Sequence, residues 1–110
     1  PNLKIILGHL GEALPFWLPR IQESLSRENG QKMNFEQIFK SNFWITTSGF
    51  FSDTALELCL KVLNRDRIVF AVDWPYANNQ SGVNWLKNSQ IDNEIKAAIF
   101  FKNAKKLLRI

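Results

Sequence analysis

The 110-residue sequence predicts an α/β fold built from three parallel βα units. Two observations carry this. Three short runs rich in Ile, Val, Phe and Thr are each closed by a Gly, a Ser-Gly or an Asp-x-Pro signal, and amphipathic helical patterns fill the stretches between them. The runs start about 40 and about 24 residues apart, which leaves room for the helical crossover that a parallel pair needs.

In chain order, residues 3–7 (Leu-Lys-Ile-Ile-Leu) form the first strand, stopped by Gly8. Leu14, Leu18, Ile21 and Leu25 then repeat at helical spacing and make one apolar stripe. Pro15 and Pro19 fit that helix only if it starts late or kinks. Asn34 with Gln37 reads as a capping box opening a short helix over 35–40. Residues 43–47 (Phe-Trp-Ile-Thr-Thr) form the second strand, stopped by Ser48-Gly49. Ser52 caps a helix that turns Ala55, Leu56, Cys59, Leu60 and Leu63 inward. Residues 67–72 form the third strand, stopped by Asp73-Trp74-Pro75. A loop over 75–81 and a short segment around Trp85-Leu86 follow. A final helix over 93–108, capped by Asp92, carries Ile95, Ala98, Ile99 and Leu107 inward. The first and third strands are nearly continuous apolar runs, the pattern of parallel strands covered on both faces.

Composition sets the outer limits. A hydrophobic share of 45% with only 5 Gly and 4 Pro excludes disordered and low-complexity classes. No apolar run approaches the ~18 residues of a spanning helix, and no signal peptide is visible, so no membrane partner is expected. The single cysteine, Cys59, cannot form an intrachain disulfide. It reads as a small buried hydrophobe in a reducing, cytoplasmic compartment. The net charge of +4 gathers as Lys102, Lys105, Lys106 and Arg109 at spacings that suit a solvated helix face, so no nucleic-acid partner is expected.

In parallel βα arrays the chemistry sits at the C-terminal ends of the strands. That end carries Gly8-His9-Leu10-Gly11-Glu12, then Ser48-Gly49-Phe50-Phe51, then Asp73-Trp74-Pro75-Tyr76. The only histidine, His9, lies there, as does Asp73, a carboxylate that ends an apolar strand and needs a partner or a metal. Each also has a plainer reading: His9 as a hydrogen-bonded structural residue, Asp73 as a turn residue, Glu12 as a residue favoured by a helix dipole, Arg20 as a surface charge. No second histidine exists to activate Ser48, and no glycine-rich phosphate loop follows any strand.

Taken together, Pro1 to Glu12, Leu14-Pro15-Phe16-Trp17, Arg20-Ile21, the segment 42–49, the segment 66–76 and the terminal 103–108 resemble the amidohydrolase superfamily. The resemblance covers essentially the whole chain and falls in the branch of metal-dependent, non-oxidative decarboxylases, with the aminocarboxymuconate-semialdehyde, γ-resorcylate and dihydroxybenzoate enzymes. It implies the last part of a (β/α)₈ TIM barrel, residues 1–110 forming a single partial barrel segment, and a divalent metal, zinc or manganese, at the C-terminal face. It implies that His9 is catalytic in acid/base work, with Glu12 as its acidic partner. It further implies that Arg20 binds the carboxylate of a small aromatic or unsaturated carboxylic-acid substrate, and that Asp73 is a metal ligand. Phe50 and Ala77 stand where the family commonly has polar residues. The family's other metal-binding histidines have no counterpart, because the chain holds 1 His. Metal binding by this chain alone is therefore expected to be weak or absent. The alternative functions are a hydrolase or hydratase of the same superfamily, or a catalytically inactive remnant with an assembly role.

Two structural expectations follow. His9 and Asp73 should share one face of the sheet, each just past a strand end. The outer strands should have bare edges beside apolar side chains, which points to a homo-oligomer.

Overall fold

A computed structural model describes residues 3–28 and 33–110. Its sheet has three parallel strands in the order β1-β2-β3: β1 (Ile5–Leu7), β2 (Phe43–Thr46) and β3 (Ile68–Val69). The helical elements are a single turn α1 (His9–Glu12), then α2 (Leu14–Glu28), α3 (Phe35–Asn42), α4 (Asp53–Val62), α5 (Asn79–Asn88), α6 (Asn93–Ala97) and α7 (Asn103–Leu108). A 3₁₀ turn (Arg65–Arg67) leads into β3, and a π-helical turn (Ala98–Lys102) joins α6 to α7.

Register decides which side chains meet. Leu7 pairs with Ile45, and Ile45 with Ile68, so these apolar residues share one face of the sheet. That face is the core: Ile45 and Ile68 are fully buried there with Phe39 of α3, Leu56 of α4, Leu86 of α5 and Ile99 of the π turn. The opposite face carries Ile6 and its partner Trp44, and Ile6 is 51% exposed. One face is thus packed by helices, while on the other Ile6 is exposed, Trp44 half-buried and Thr46 buried.

The third strand is shorter than its apolar run suggests. The Phe70 N–H donates to the Ile99 carbonyl (2.9 Å) instead of continuing the ladder. Past that point the Thr47 side chain takes over the pairing. Its hydroxyl donates to the Ala71 carbonyl (2.8 Å) and accepts the Ala71 N–H (3.1 Å), so a fully buried side chain does the work of a strand neighbour.

Several local signals act as the sequence implies. The Asn34 side chain accepts from the Gln37 N–H (2.9 Å) and Ser52 accepts from the Ala55 N–H (3.3 Å). Others differ. Helix α2 begins at Leu14, which puts Pro15 in the first turn, where a missing N–H breaks no bond; Pro19 lies inside the helix. The segment around Trp85-Leu86 is part of a full helix, α5, capped by the Asn78 side chain on the Ser81 N–H (3.0 Å). Asp92 makes no side-chain cap bond, and the terminal helix carries a π turn in its middle. Asn103 is buried and donates from one amide nitrogen to the Arg65 carbonyl (2.8 Å) and the Ile68 carbonyl (2.7 Å), tying α7 to the entry of β3. Among the described residues no helix is long and apolar enough to cross a membrane.

Candidate functional site

The site grows from the turn after β1. His9, Leu10, Gly11, Glu12 and Ala13 all have positive φ, between 46° and 84°, so α1 is a left-handed turn. A left-handed conformation costs roughly 1–2 kcal/mol for each residue with a side chain, and only Gly11 escapes that cost. Two contacts hold the turn: the Gly11 N–H donates to the Gly8 carbonyl (2.7 Å), and Leu10 is buried in the core with 2% exposure. The chemical result is local. One turn separates His9 from Glu12, and the Glu12 carboxylate reaches His9 Nδ1 in a short hydrogen bond.

The other side of the imidazole meets Asp73. His9 Nε2 lies 3.3 Å from Asp73 Oδ2, across 64 residues of sequence. Asp73 also has positive φ (76°), and its carbonyl accepts from the Tyr76 N–H (2.8 Å) and the Ala77 N–H (3.0 Å). Gly49 forms the floor between the two groups. A Cβ at that position would lie 3.1 Å from Asp73 Oδ2 and 3.5 Å from His9 Cδ2, and its φ of 58° is itself left-handed. Its N–H donates to the Val72 carbonyl (3.1 Å), which fixes the strand end that delivers Asp73. The only sequence signal for this role is a glycine directly after a strand. Trp74 (71% exposed) and Tyr76 (90% exposed) follow Asp73 in the chain as uncovered aromatic side chains.

The structure therefore brings His9, Glu12 and Asp73 together, while Arg20 lies on α2, the helix that follows the His9–Glu12 turn. There Arg20 Nη1 lies 3.5 Å from Glu23 Oε2 of the same helix, with both side chains more than half exposed. Cys59 is buried, its thiol donates to the Leu10 carbonyl (3.5 Å), and burial pushes its pKa up to about 11, so it is not a nucleophile at neutral pH.

The hydrogen bond His9 makes to the Glu12 carboxylate, and after it the one to Asp73, raise the His9 pKa above 6.5. In the metal-free chain we expect NMR titration of the imidazole to show this rise, and Glu12→Gln to reduce it. The linkage has a definite sign. The contribution of the His9 contacts to stability is fully present below the unfolded-state pKa of 6.5 and is lost as pH rises through the higher folded-state value. A titration at or below the ordinary histidine value would contradict the geometry.

The donor set can be tested against the metal that the family resemblance implies. Among the described residues there is no group of three or more His, Cys, Asp or Glu able to hold a metal ion. Asp73 and His9 are engaged with each other, and stable catalytic sites use three protein ligands or more. Among the described residues, His9 and Asp73 alone do not complete such a ligand set.

An α/β sector whose polar cluster sits past the C-terminal ends of parallel strands has the arrangement of α/β folds with parallel sheets, (β/α)₈ barrels among them. The chain belongs to the amidohydrolase family, whose model it matches over residues 1–110. It is 34% identical over 117 residues to the decarboxylase orsB of Emericella nidulans and 34% identical over 115 residues to the γ-resorcylate decarboxylase of Polaromonas sp. strain JS666. Each match takes in 100% of this chain, and the chain spans 35% of the length of either relative. The fold superposes on 5-carboxyvanillate decarboxylase LigW from Sphingomonas paucimobilis with a TM-score of 0.90 and 36% identity, covering 98% of this chain and 34% of that one. It also superposes on the dihydroxybenzoic acid decarboxylase of Polaromonas sp. JS666, solved with bound manganese and the inhibitor 2-nitroresorcinol. That match has a TM-score of 0.89 and 34% identity, over 97% of this chain and 34% of that one. The neighbours are TIM-barrel amidohydrolases, and the three parallel βα units correspond to one sector of their barrels.

Proposed function

We propose that residues 1–110 act as one segment of a metal-dependent decarboxylase of small aromatic carboxylic acids, with His9 and Glu12 as its acid/base pair. The observation that carries this reading is the imidazole held between two carboxylates at the C-terminal strand ends. Decarboxylation breaks the bond between ring carbon and carboxylate. The electron pair stays on the ring carbon, which takes up a proton as carbon dioxide leaves. Glu12 fixes the imidazole through Nδ1 and favours its protonated form, so the proton at Nε2, shared with Asp73, is the one available to substrate. The exposed rings of Trp74 and Tyr76 suit a planar aromatic substrate.

Arg20 supplies the substrate-carboxylate contact in this reading. Its partner Glu23 is an exposed neighbour on the same helix, and such pairs are worth about 0–1 kcal/mol, so releasing it is easy. Asp73 is the residue this chain would offer to a metal completed by other ligands. The chain by itself is then expected to bind zinc weakly and to decarboxylate no hydroxybenzoate. Zinc retained stoichiometrically through dialysis, with turnover lost in Asp73→Ala, would overturn that expectation.

The decisive experiment is a chimera. Residues 1–110 replace the corresponding third of the Polaromonas γ-resorcylate decarboxylase, and decarboxylation of dihydroxybenzoates is followed. Activity with manganese bound supports the reading. A folded chimera that holds manganese and turns over no aromatic acid sinks it.

A cytoplasmic setting fits the single buried thiol. Self-association fits the open sheet face. Among the described residues β1 and β3 each pair on one side only, and Leu3 (61% exposed) and Ile6 (51% exposed) are uncovered apolar side chains. Sedimentation equilibrium at micromolar concentration should give a dimer or larger species, whereas a stable, cooperatively folded monomer would refute self-association.

A further inference from the structure

We propose that Ser48 is a specificity-determining residue of the site, its hydroxyl donating a hydrogen bond to an oxygen substituent on the ring of the aromatic acid. The proposal rests on the decarboxylase reading above and adds to it the group that recognises a ring hydroxyl. Ser48 follows the middle strand, between the two strand ends that deliver His9 and Asp73. A Cβ at Gly8, the residue before His9, would lie 4.0 Å from Ser48 Cβ. The residue after Ser48 is Gly49, the floor between imidazole and carboxylate. The serine therefore stands at the edge of the polar cluster, and it is only partly buried.

The direction of its proton follows from Thr46. Thr46 Oγ1 lies 2.7 Å from Ser48 Oγ and accepts the Ser48 N–H at 3.4 Å. This contact puts the serine side chain on the sheet face of Thr46, Trp44 and Ile6, away from the helix-packed core. Thr46 is buried, and among the described residues the acceptor for its one proton is Ser48 Oγ. A buried hydroxyl proton without an acceptor is costly, so threonine donates and serine accepts. A hydroxyl has one proton and two lone pairs. Ser48 thus keeps its proton and one lone pair for a ligand. The bonds run one way, from the Ser48 N–H to Thr46 and from Thr46 to Ser48, and each polarises the next.

A hydroxyl presented in this way suits a phenol or phenolate oxygen. It can donate to either, and its free lone pair can accept the phenol proton. The substrate carboxylate is already assigned to the charged Arg20, which leaves the ring oxygens to a neutral group. Proton transfer from His9 Nε2 to a ring carbon brings the ring to the imidazole, with its substituents beside the neighbouring strand end. A polar group that pairs with a substrate hydroxyl also selects against the analogue lacking it, because the pairing is then lost.

The test is isothermal titration calorimetry of the manganese-loaded chimera with 2-nitroresorcinol, which carries ring hydroxyls, and with benzoate, which carries none. Ser48→Ala is expected to weaken 2-nitroresorcinol about three- to tenfold and to leave benzoate within about twofold of the parent. Thr46→Val removes the positioning hydroxyl without touching the ligand, and it should weaken 2-nitroresorcinol alone. Thr46→Ser keeps that hydroxyl and should bind as the parent does. Equal weakening of both ligands by Ser48→Ala, or unchanged binding of 2-nitroresorcinol, would overturn the proposal. Binding is measured without turnover. A chimera that shows the expected ligand dependence and decarboxylates nothing therefore supports the role of Ser48 while sinking the proposed reaction.

Discussion

Glutamine in place of His9, introduced into the manganese-loaded chimera, is expected to slow decarboxylation by about 10²–10⁴-fold, the usual contribution of a positioned acid or base. The argument is geometric before it is electrostatic. The left-handed turn sets the ring against Glu12, and the end of β3 sets it against Asp73, so the imidazole has one well-defined orientation. Glutamine keeps some of the polarity but cannot take up and release a proton near neutral pH. The pH dependence of turnover should lose the limb that belongs to His9, while manganese content and thermal unfolding stay close to the parent. A loss of less than roughly threefold, with the pH profile unchanged, would reduce His9 to a structural residue.

Phe39→Ala should be the most damaging single truncation for stability, at about 3–5 kcal/mol. Phe39 is fully buried, and its ring sits 4.9 Å from that of Phe43 and 6.2 Å from that of Phe35. It is the contact through which α3 closes over the start of β2. Removing it leaves a cavity between two partly buried rings, and small domains have only about 5–15 kcal/mol in total. Urea unfolding measures the loss directly. A cost below about 1 kcal/mol would mean that Phe35 and Phe43 collapse into the vacated space.

The sequence carries the fold where local pattern and final burial agree. The three strand runs are apolar because the sheet's core face is covered by helices, and Asn34 and Ser52 are conventional caps, so both kinds of element are visible from residue order. It misleads where tertiary contacts override pattern. The run 67–72 is as apolar as a longer strand, yet Phe70 gives its N–H to Ile99, a residue no local window includes. Helix α5 is rich in Asn, Gln, Ser and Gly and therefore looks like a loop, although Leu86 anchors it in the core. Asn103 looks like an ordinary helix-surface residue until two carbonyls converge on it.

The site divides in the same way. Parallel strands put His9 and Asp73 at one end of the sheet, and that much follows from chain order. The contact between His9 and Glu12 depends on five consecutive positive φ angles, of which only the one at Gly11 has a visible cause in the sequence. The part played by Gly49 depends on a close approach between backbone and carboxylate that no spacing rule describes.

The middle strand and its continuation act as a jig for the whole polar cluster. Thr47 clamps Ala71, Gly49 pins Val72 and leaves room for both His9 and Asp73, and Ile45 packs under Gly11 in the turn that carries the histidine. Every one of these reference points falls within five consecutive residues, 45–49. His9 follows one outer strand and Asp73 the other, so the gap between imidazole and carboxylate is set by how both strand ends seat on this central stretch. A sector organised in this way carries its own internal ruler.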